Sequence, residues 1–374
     1  MKIGIIQPRT SYYVGGSEKI SLIHAELLSK LGHNVTLHTI LHPAGQKSIL
    51  YKSYLKKPRF NVFEHVVPQK FENLYAADSN GDENRWKTES FFFNTLIFNK
   101  LNEENNDVIL SYYLPDALNK PFQSKNVVYL CGYPTNIIDM YKSFLNQVDS
   151  VISISNLVEQ KWREQIKDVP NKYVLGTGVV YPVKVHNISH KHKYNIVFAG
   201  RLIKRKGIMT LLEAFSLVSF MDSSVHLWIL GDGPQKNEII EYIHKFKLEK
   251  QITLCGTVTN PTDYFGFADV SVFPSYEKDG LMGVVLEAMS VGSPIITTIG
   301  SGSEDVIESG VNGYLVEPKS VNGLFNILSV LIYDENKKKL VGELAKKEVA
   351  EKLNWDIRIK LLDDIFQDVI NKNI

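Results

Sequence analysis

What most constrains this chain is an alternation that runs, breaks off and starts again. "KIGIIQ" (2–7), "NVTLHTI" (34–40), "DVILSYY" (107–113), "NVVYLCG" (126–132) and "SVISIS" (150–155) are short, β-branched and apolar. Between and after them lie helix-like stretches. "GGSEKISLIHAELLSKLGH" has Ser17 placed as an N-cap and Gly32 as a stop, and "LVEQKWREQI" follows the last strand. After "YVLGTGVVYPVKVHNISHKHK" (173–193), which has no helical period, the pattern restarts with "YNIVFAG" (194–200). It continues through "VHLWILG", "QITLCG", "VSVFP" and "SPIITT". Strands that alternate with helices argue for parallel sheets covered on both faces. The prediction is an α/β chain of two Rossmann-like domains whose parallel sheets face each other across a cleft. The expected boundaries are 1–182 for an acceptor-side domain, 183–193 for a linker, and 194–353 for a donor domain. A C-terminal helix over 354–374 is expected to pack back on the first domain. Ligands of open α/β sheets bind at the carboxyl ends of the strands, so the strand-exit loops are where function is sought.

Composition narrows the partners. Among 374 residues, 42 Lys and Arg balance 41 Asp and Glu. A nucleic-acid binder calls for a basic excess, so none is expected as a partner. Two cysteines, Cys131 and Cys255, make no disulfide framework and fit a reducing compartment. "MKIGIIQPRT" reads as a strand and polar turn rather than a signal peptide, and "FFFNTLIF" (91–98) is too short to span a bilayer. The expected location is cytoplasmic, with peripheral contact at the inner face of the membrane as an open option. That option rests on "YKSYLKKPRF" (51–60) and "NRWKTESFFF" (84–93), which are cationic and aromatic; solvated loop and helix faces are the plainer reading.

Four stretches carry the chemistry. In "NIVFAGRLIKRKGIMTLLEAF" (195–215), Arg201, Lys204, Arg205 and Lys206 sit between a buried strand and a helix. A helix N-terminus already presents free N–H groups and partial positive charge, so added cations suit adjacent phosphates. A solvated basic turn is the plain alternative. "LGDGP" (230–234), with Gly231 and Gly233, is a turn through which a ligand could approach the backbone, or an ordinary tight loop. In "PSYEKDGLMGVVLEAMSVGSPIITT" (274–298), Asp279 precedes a helix that starts near Gly283 and carries Glu287. Carboxylates there would accept from the hydroxyls of a sugar or ribose, and the amides of Leu281, Met282 and Gly283 would cap the same ligand. "GSGSEDVIESGVNGYLVEP" (300–318) is a glycine-rich turn into a short helix, with Ser303 as its expected cap. His186, His190 and His192 in the linker have metal-like spacing, but no carboxylate is expected near them and no metal is assigned.

"FAGRLIKRKGIMTLLEAF", "LGDGP", "DGLMGVVLEAMSVGSPII" and "GVNGYLVEP", in this order, resemble the second domain of the retaining nucleotide-sugar glycosyltransferases of family four, which have the GT-B fold. "VGGSEKISLIHAELLSKLGHNVTL" (14–37) resembles the start of their first domain. The resemblance implies that Arg201 and Lys206 hold the donor's diphosphate, Glu287 its ribose, and Asp279 its sugar, with Glu277 as the fallback. It puts Gly200, Gly231, Gly233 and Gly280 on the donor side, and Gly15 and Gly16 in the first-domain loop that approaches the phosphates and the acceptor. Where many relatives carry a histidine at strand exits of the first domain, this chain has Tyr112 and Cys131, the acceptor-side candidates. The implied reaction moves a hexose-type sugar from a nucleotide sugar to a saccharide or lipid-linked acceptor, with retention and without a metal or other cofactor. A sugar-nucleotide epimerase of the same fold and a silent nucleotide-sugar-binding subunit are the alternatives. The absence of GxGxxG at either first strand exit disfavours a dinucleotide oxidoreductase.

Overall fold

The computed structural model describes residues 1–42, 45–66, 83–112, 123–134, 145, 147–188, 192–276 and 283–372, with backbone only over 83–92. The chain forms two compact units, Met1–Leu175 with Ile359–Ile374, and Gly176–Arg358.

In the first unit the order is β1 (Lys2–Ile6), α1 (Gly16–Lys30), β2 (Asn34–Leu41), α2 (Ile49–Leu55), β3 (Asn61–Val66), α3 (Glu83–Glu103), β4 (Val108–Tyr112), β5 (Lys125–Leu130), β6 (Ser150–Ser153), α4 (Asn156–Trp162) and β7 (Asn171–Val174). The strands form one parallel sheet in the order β3-β2-β1-β4-β5-β6-β7. The order reverses at β1, whose neighbours are β2 and β4. Ile3, Ile5, Val108, Ile109 and Leu110 are fully buried in the middle of that sheet, as expected for strands covered on both faces. The α1 helix buries Ile20, Leu22, His24, Ala25 and Leu28. Its N-cap is Gly15, without a side-chain cap, so Ser17 is not the cap. Ser17 lies inside the first turn and accepts from Gln7 Nε2 at 3.2 Å.

The second unit runs β8 (Tyr194–Ala199), α5 (Ile208–Met221), β9 (Val225–Leu230), α6 (Lys236–Phe246), β10 (Ile252–Gly256), α7 (Pro261–Phe265), β11 (Val270–Phe273), α8 (Gly283–Ser290), β12 (Ile295–Thr298), β13 (Tyr314–Val316), α9 (Val321–Leu331) and α10 (Glu335–Glu348). Its parallel sheet has the order β10-β9-β8-β11-β12-β13, the same winding with the reversal at β8. One face is packed by Leu211, Leu212, Phe215 and Val218 of α5 together with Leu324, Leu328 and Leu331 of α9. The other is packed by Val285, Leu286, Ala288 and Met289 of α8 with Ala345 of α10. Each such side chain contributes about 1.5–3 kcal/mol by leaving water.

The division falls at Leu175/Gly176, not at 182/183. Leu175 still hydrogen-bonds β6 through Ser153, whereas Val179 donates to Leu353 and accepts from Trp355. The segment after 175 is therefore sewn to the end of the second unit. The linker is not loose either. His186 N–H donates to Asp263 of α7 at 2.7 Å, and His186 Nδ1 lies 3.2 Å from the same carboxylate. The expectation that no carboxylate is near these histidines is thus overturned. His192 stacks on His226 of β9 with centroids 3.6 Å apart, and His190 lies outside the described residues. The last helix, α11 (Trp355–Asn371), starts in the second unit, and the chain re-enters the first at Ile359 rather than 354. There Leu362, Phe366 and Val369 are buried, Tyr173 donates to Asp368, and His33 Nε2 lies 3.0 Å from Asp363.

Candidate active site

The cation-bearing turn of the second unit is held by its apolar member. Leu202 is buried to 1% while Arg201 beside it is exposed. Leu202 N–H donates to the Asp232 carbonyl, and Leu202 O accepts from Gln235 N–H, both at 2.9 Å. The turn is thereby clipped to the loop after β9. This clipping explains the glycines of "LGDGP": a Cβ on Gly231 would strike the Gly200 carbonyl, and one on Gly233 would lie 2.6 Å from the Leu202 carbonyl oxygen. Gly231 and Gly233 are required first by the neighbouring loop, whatever ligand comes near them.

Lys204–Lys206 then form a single 3-10 turn that ends at Gly207, in the left-handed region at φ 69. The α5 helix begins at the next residue and has no acidic residue in its first turn. Three cations thus precede a helix N-terminus, which carries partial positive charge of the same sign. An anion placed against this arrangement would meet both the cations and the helix N-terminus.

The exit of β11 meets this turn directly. Tyr276 N–H donates to the Arg205 carbonyl at 3.0 Å, and a Cβ on Gly207 would overlap the Pro274 carbonyl. Lys319 Nζ lies 4.7 Å from the Tyr276 ring centroid. Thr298 at the end of β12 donates to the Ser275 carbonyl. Three strand exits, those of β8, β11 and β12, are therefore linked at the carboxyl edge of the sheet, the first two through backbone and the third through the Thr298 hydroxyl. Glu277, Asp279, Gly280, Leu281 and Met282 lie outside the described residues. The α8 helix starts at Gly283, as expected from the sequence, and Glu287 is its half-buried member among buried Val285, Leu286, Ala288 and Met289. Ser303 does not cap the short turn Ser303–Asp305; Gly302 precedes it, and the Ser303 hydroxyl accepts from Ser301 at 3.0 Å inside a buried hydroxyl chain.

In the first unit, Gly15 and Gly16 open α1 at the exit of β1. A Cβ on Gly15 would strike the Glu18 carboxylate and the Tyr13 ring edge. Tyr112 is 2% exposed and shares a hydrogen bond with His24 Nδ1. Burial pushes the Tyr112 hydroxyl well above its ordinary range and holds His24 down at about 3. The Tyr112 side chain is buried and bonded to His24. Cys131 is half-buried, and burial followed by the Glu18 charge pushes its thiol up, so the thiol stays neutral. Sequence reasoning missed the buried pair beneath these loops, Arg9 Nε to Glu18 Oε1 at 3.3 Å, with both side chains under 5% exposed. In the sequence both look like ordinary solvent-facing charges. Tyr51 and Phe60 of "YKSYLKKPRF" are core residues, whereas Lys52, Lys56, Lys57 and Arg59 are exposed.

Among the described residues, no helix is long and apolar enough to cross a membrane, and no group of three His, Cys, Asp or Glu could hold a metal ion.

Two doubly wound parallel sheets in one chain, the second with a cationic strand exit leading into a helix, define the GT-B class of glycosyltransferase fold. Residues 193–334 match the family described as group 1 glycosyl transferases. It is 26% identical over 191 residues to the capsular polysaccharide biosynthesis glycosyltransferase CapM of Staphylococcus aureus, covering 51% of this chain and 50% of CapM. It is 25% identical over 250 residues to the N-acetyl-alpha-D-glucosaminyl L-malate synthase of Bacillus anthracis, covering 64% of this chain and 65% of that enzyme. The match thus spans about half of the first relative and just under two thirds of the second. Among solved structures, Anabaena HepE in complex with UDP superposes with a TM-score of 0.75 at 16% identity, covering 98% of this chain and 100% of that one.

Proposed function

We propose that this protein transfers a hexose-type sugar from a nucleoside diphosphate sugar to a saccharide or lipid-linked acceptor, with retention of anomeric configuration. One observation carries the reading: the turn Lys204–Lys206 stands directly before the N-terminus of α5, so cationic side chains and helix amides lie together at a strand exit. A diphosphate is the kind of anion that such a pairing of cations and helix amides suits. The group 1 family match over the same residues, and the UDP bound by HepE, support this choice of anion.

In this reading Arg201 and Lys206 receive the leaving diphosphate. As the anomeric C–O bond breaks, negative charge builds on the departing phosphate oxygen. Fixed cations and helix amides stabilise that charge more in the transition state than in the ground state. Glu287 accepts from the ribose hydroxyls, and Asp279, or Glu277, from the donor sugar. The leaving phosphate oxygen takes the acceptor's proton on the face from which it departs, so configuration is kept without a covalent sugar intermediate. The cations perform the charge-neutralising role without a metal.

The test is turnover of a nucleotide-sugar panel by Arg201→Ala and Glu287→Ala. Loss of one well-placed electrostatic donor lowers kcat by about 10²–10³. Both variants should keep the wild-type thermal midpoint. Normal turnover in either variant refutes the donor-site assignment, and an inverted anomeric proton coupling in the product refutes retention.

A further inference from the structure

A surface helix is expected to carry polar residues on the face turned away from the core. The α5 helix does so only at first. Its buried residues run from Ile208 through Leu211, Leu212 and Phe215 to Val218, and Glu213 stands exposed on the outer side. In the last turn the outer side becomes apolar instead: Leu217 is 45% exposed, Phe220 93% and Met221 68%. The neighbouring α6 ends in the same way, on Phe246 at 46%. Single exposed apolar residues are ordinary, but four at two adjoining helix ends, one with nearly all of its surface in water, mark an interaction site.

The two helix ends belong to one patch. Ser216 of α5 and Tyr242 of α6 share a hydrogen bond at 3.0 Å, and one turn further along each helix stand Phe220 and Phe246. The Tyr242 and Phe246 rings lie 4.4 Å apart between centroids. In an all-parallel sheet every crossover helix ends where the next strand begins. The patch therefore lies at the starts of β9 and β10, on the edge opposite the strand exits that carry the cationic turn.

Charge decides what covers it. Lys245 holds its ammonium 5.3 Å from the Phe246 ring centroid, and Lys247 and Lys250 are exposed between α6 and β10. Among the described residues none of these three lysines forms an ion pair. The carboxylates of the same edge are occupied. Asp222 accepts from the Ser224 amide at 2.8 Å, the Ser224 hydroxyl at 2.6 Å and the Tyr333 hydroxyl at 3.2 Å, and Glu249 lies 2.9 Å from His244 Nδ1. Glu213 and Glu241 stand more than a turn back from the helix ends. The complement of such an edge is a surface that offers carbon chains and negative charge together. A lysine beside an aromatic ring lets the ring enter an apolar layer while the ammonium stays among charged headgroups. A protein partner fits less well, because lysine is depleted where protein interfaces bury apolar groups. We propose that Leu217, Phe220, Met221 and Phe246, with Lys245, Lys247 and Lys250 beside them, form a docking surface for an anionic lipid bilayer. The surface belongs to the second unit, whereas the stretch 51–60 of the first buries its Tyr51 and Phe60. It holds whether or not the chain transfers sugars.

The test is flotation of the full chain with vesicles of phosphatidylcholine, either alone or with about one third phosphatidylglycerol. Wild-type protein is expected to float with the anionic vesicles and far less with the neutral ones, and added salt should release it. Phe220→Ser should lower the partition coefficient about tenfold. Lys245→Gln combined with Lys250→Gln should lower it about tenfold or more, at about fivefold for each lysine. Thermal midpoints should stay at the wild-type value, because all three side chains are exposed. Phe220→Trp should keep binding, and its added emission should shift to the blue with anionic vesicles. Absent flotation of the wild type, undiminished flotation of Phe220→Ser, or equal flotation with neutral vesicles overturns the proposal. So does self-association, read by light scattering, that Phe220→Ser abolishes while vesicles go unbound; the occupant is then a second copy of this chain.

Discussion

Gly207 and Gly256 provide a matched pair for testing how the cationic turn is held. Both lie in the left-handed region, at φ 69 and φ 66. An alanine at either position adds about 1–2 kcal/mol of backbone strain. Their surroundings differ. A Cβ on Gly256 meets nothing within 4 Å, whereas one on Gly207 overlaps the Pro274 carbonyl oxygen and lies 2.8 Å from its carbon. Relief requires the exits of β8 and β11 to move apart, which strains the Tyr276 N–H to Arg205 carbonyl bond as well. Overpacking of this kind adds about 1–3 kcal/mol. Gly256→Ala should therefore lose about 1–2 kcal/mol, and Gly207→Ala about 2–5 kcal/mol. Urea unfolding of the two variants, followed by tryptophan fluorescence, measures the difference. Because the displaced turn carries Lys204–Lys206, calorimetric titration of Gly207→Ala should also show nucleoside diphosphate affinity lowered about tenfold or more. Equal destabilisation of the two variants would refute the claim that the strand exits are locked in contact.

Two further outcomes follow from buried polar groups. Tyr112→Phe removes the hydroxyl that pairs with buried His24, so unfolding stability should fall by about 1–3 kcal/mol; lost transfer at unchanged stability would show Tyr112 acting in the reaction instead. Burial holds His24 at about 3; burial and then the partner histidine hold His65 and His226 at about 4, all from an ordinary 6.5. The unfolded chain therefore takes up protons first, and stability is full above pH 6.5 and is lost as pH falls toward 4 and 3. Glu104 is pushed up by burial but pulled down more strongly by His38, to about 2, so its contribution is lost below pH 4.5. Urea midpoints at pH 7.5, 6 and 5 should decrease in that order, and a flat or rising series contradicts the assignment.

Most strands that the sequence made legible are buried on both faces. β1, β2, β4, β5 and β6, and β8, β9, β11 and β12, are apolar runs, because a central parallel strand must satisfy two packed layers at once; β10 was legible too, although it is a half-buried edge strand. β3, β7 and β13 were not legible. "NVFEHV" and "NKYV" alternate exposed and covered residues at the edges of the first sheet, and "YLV" is three residues long at the edge of the second. Edge strands bury less and so leave a weaker mark. The placement of Arg201 and Lys206 on one strand–helix connection, and of Gly283 and Glu287 on one helix, was readable because each pair lies within one local element. The burial of Tyr112 was not readable, because a tyrosine at a strand end looks alike whether its hydroxyl meets solvent or a buried imidazole 88 residues away.

Local order in this chain was determined by the sequence alone: which runs are strands, where the winding restarts, and that a cationic turn precedes α5. Hydrophobic periodicity and turn residues act over a few positions, and such effects can be read along the chain. Tertiary structure alone decided the pairing of Arg9 with Glu18, the dependence of Gly231 and Gly233 on the Gly200–Leu202 backbone, the attachment of 176–188 to the second unit, and the return of α11 to the first. Each of these is set by the approach of segments distant in sequence. Close packing makes such approaches specific, and no local pattern of residues encodes them.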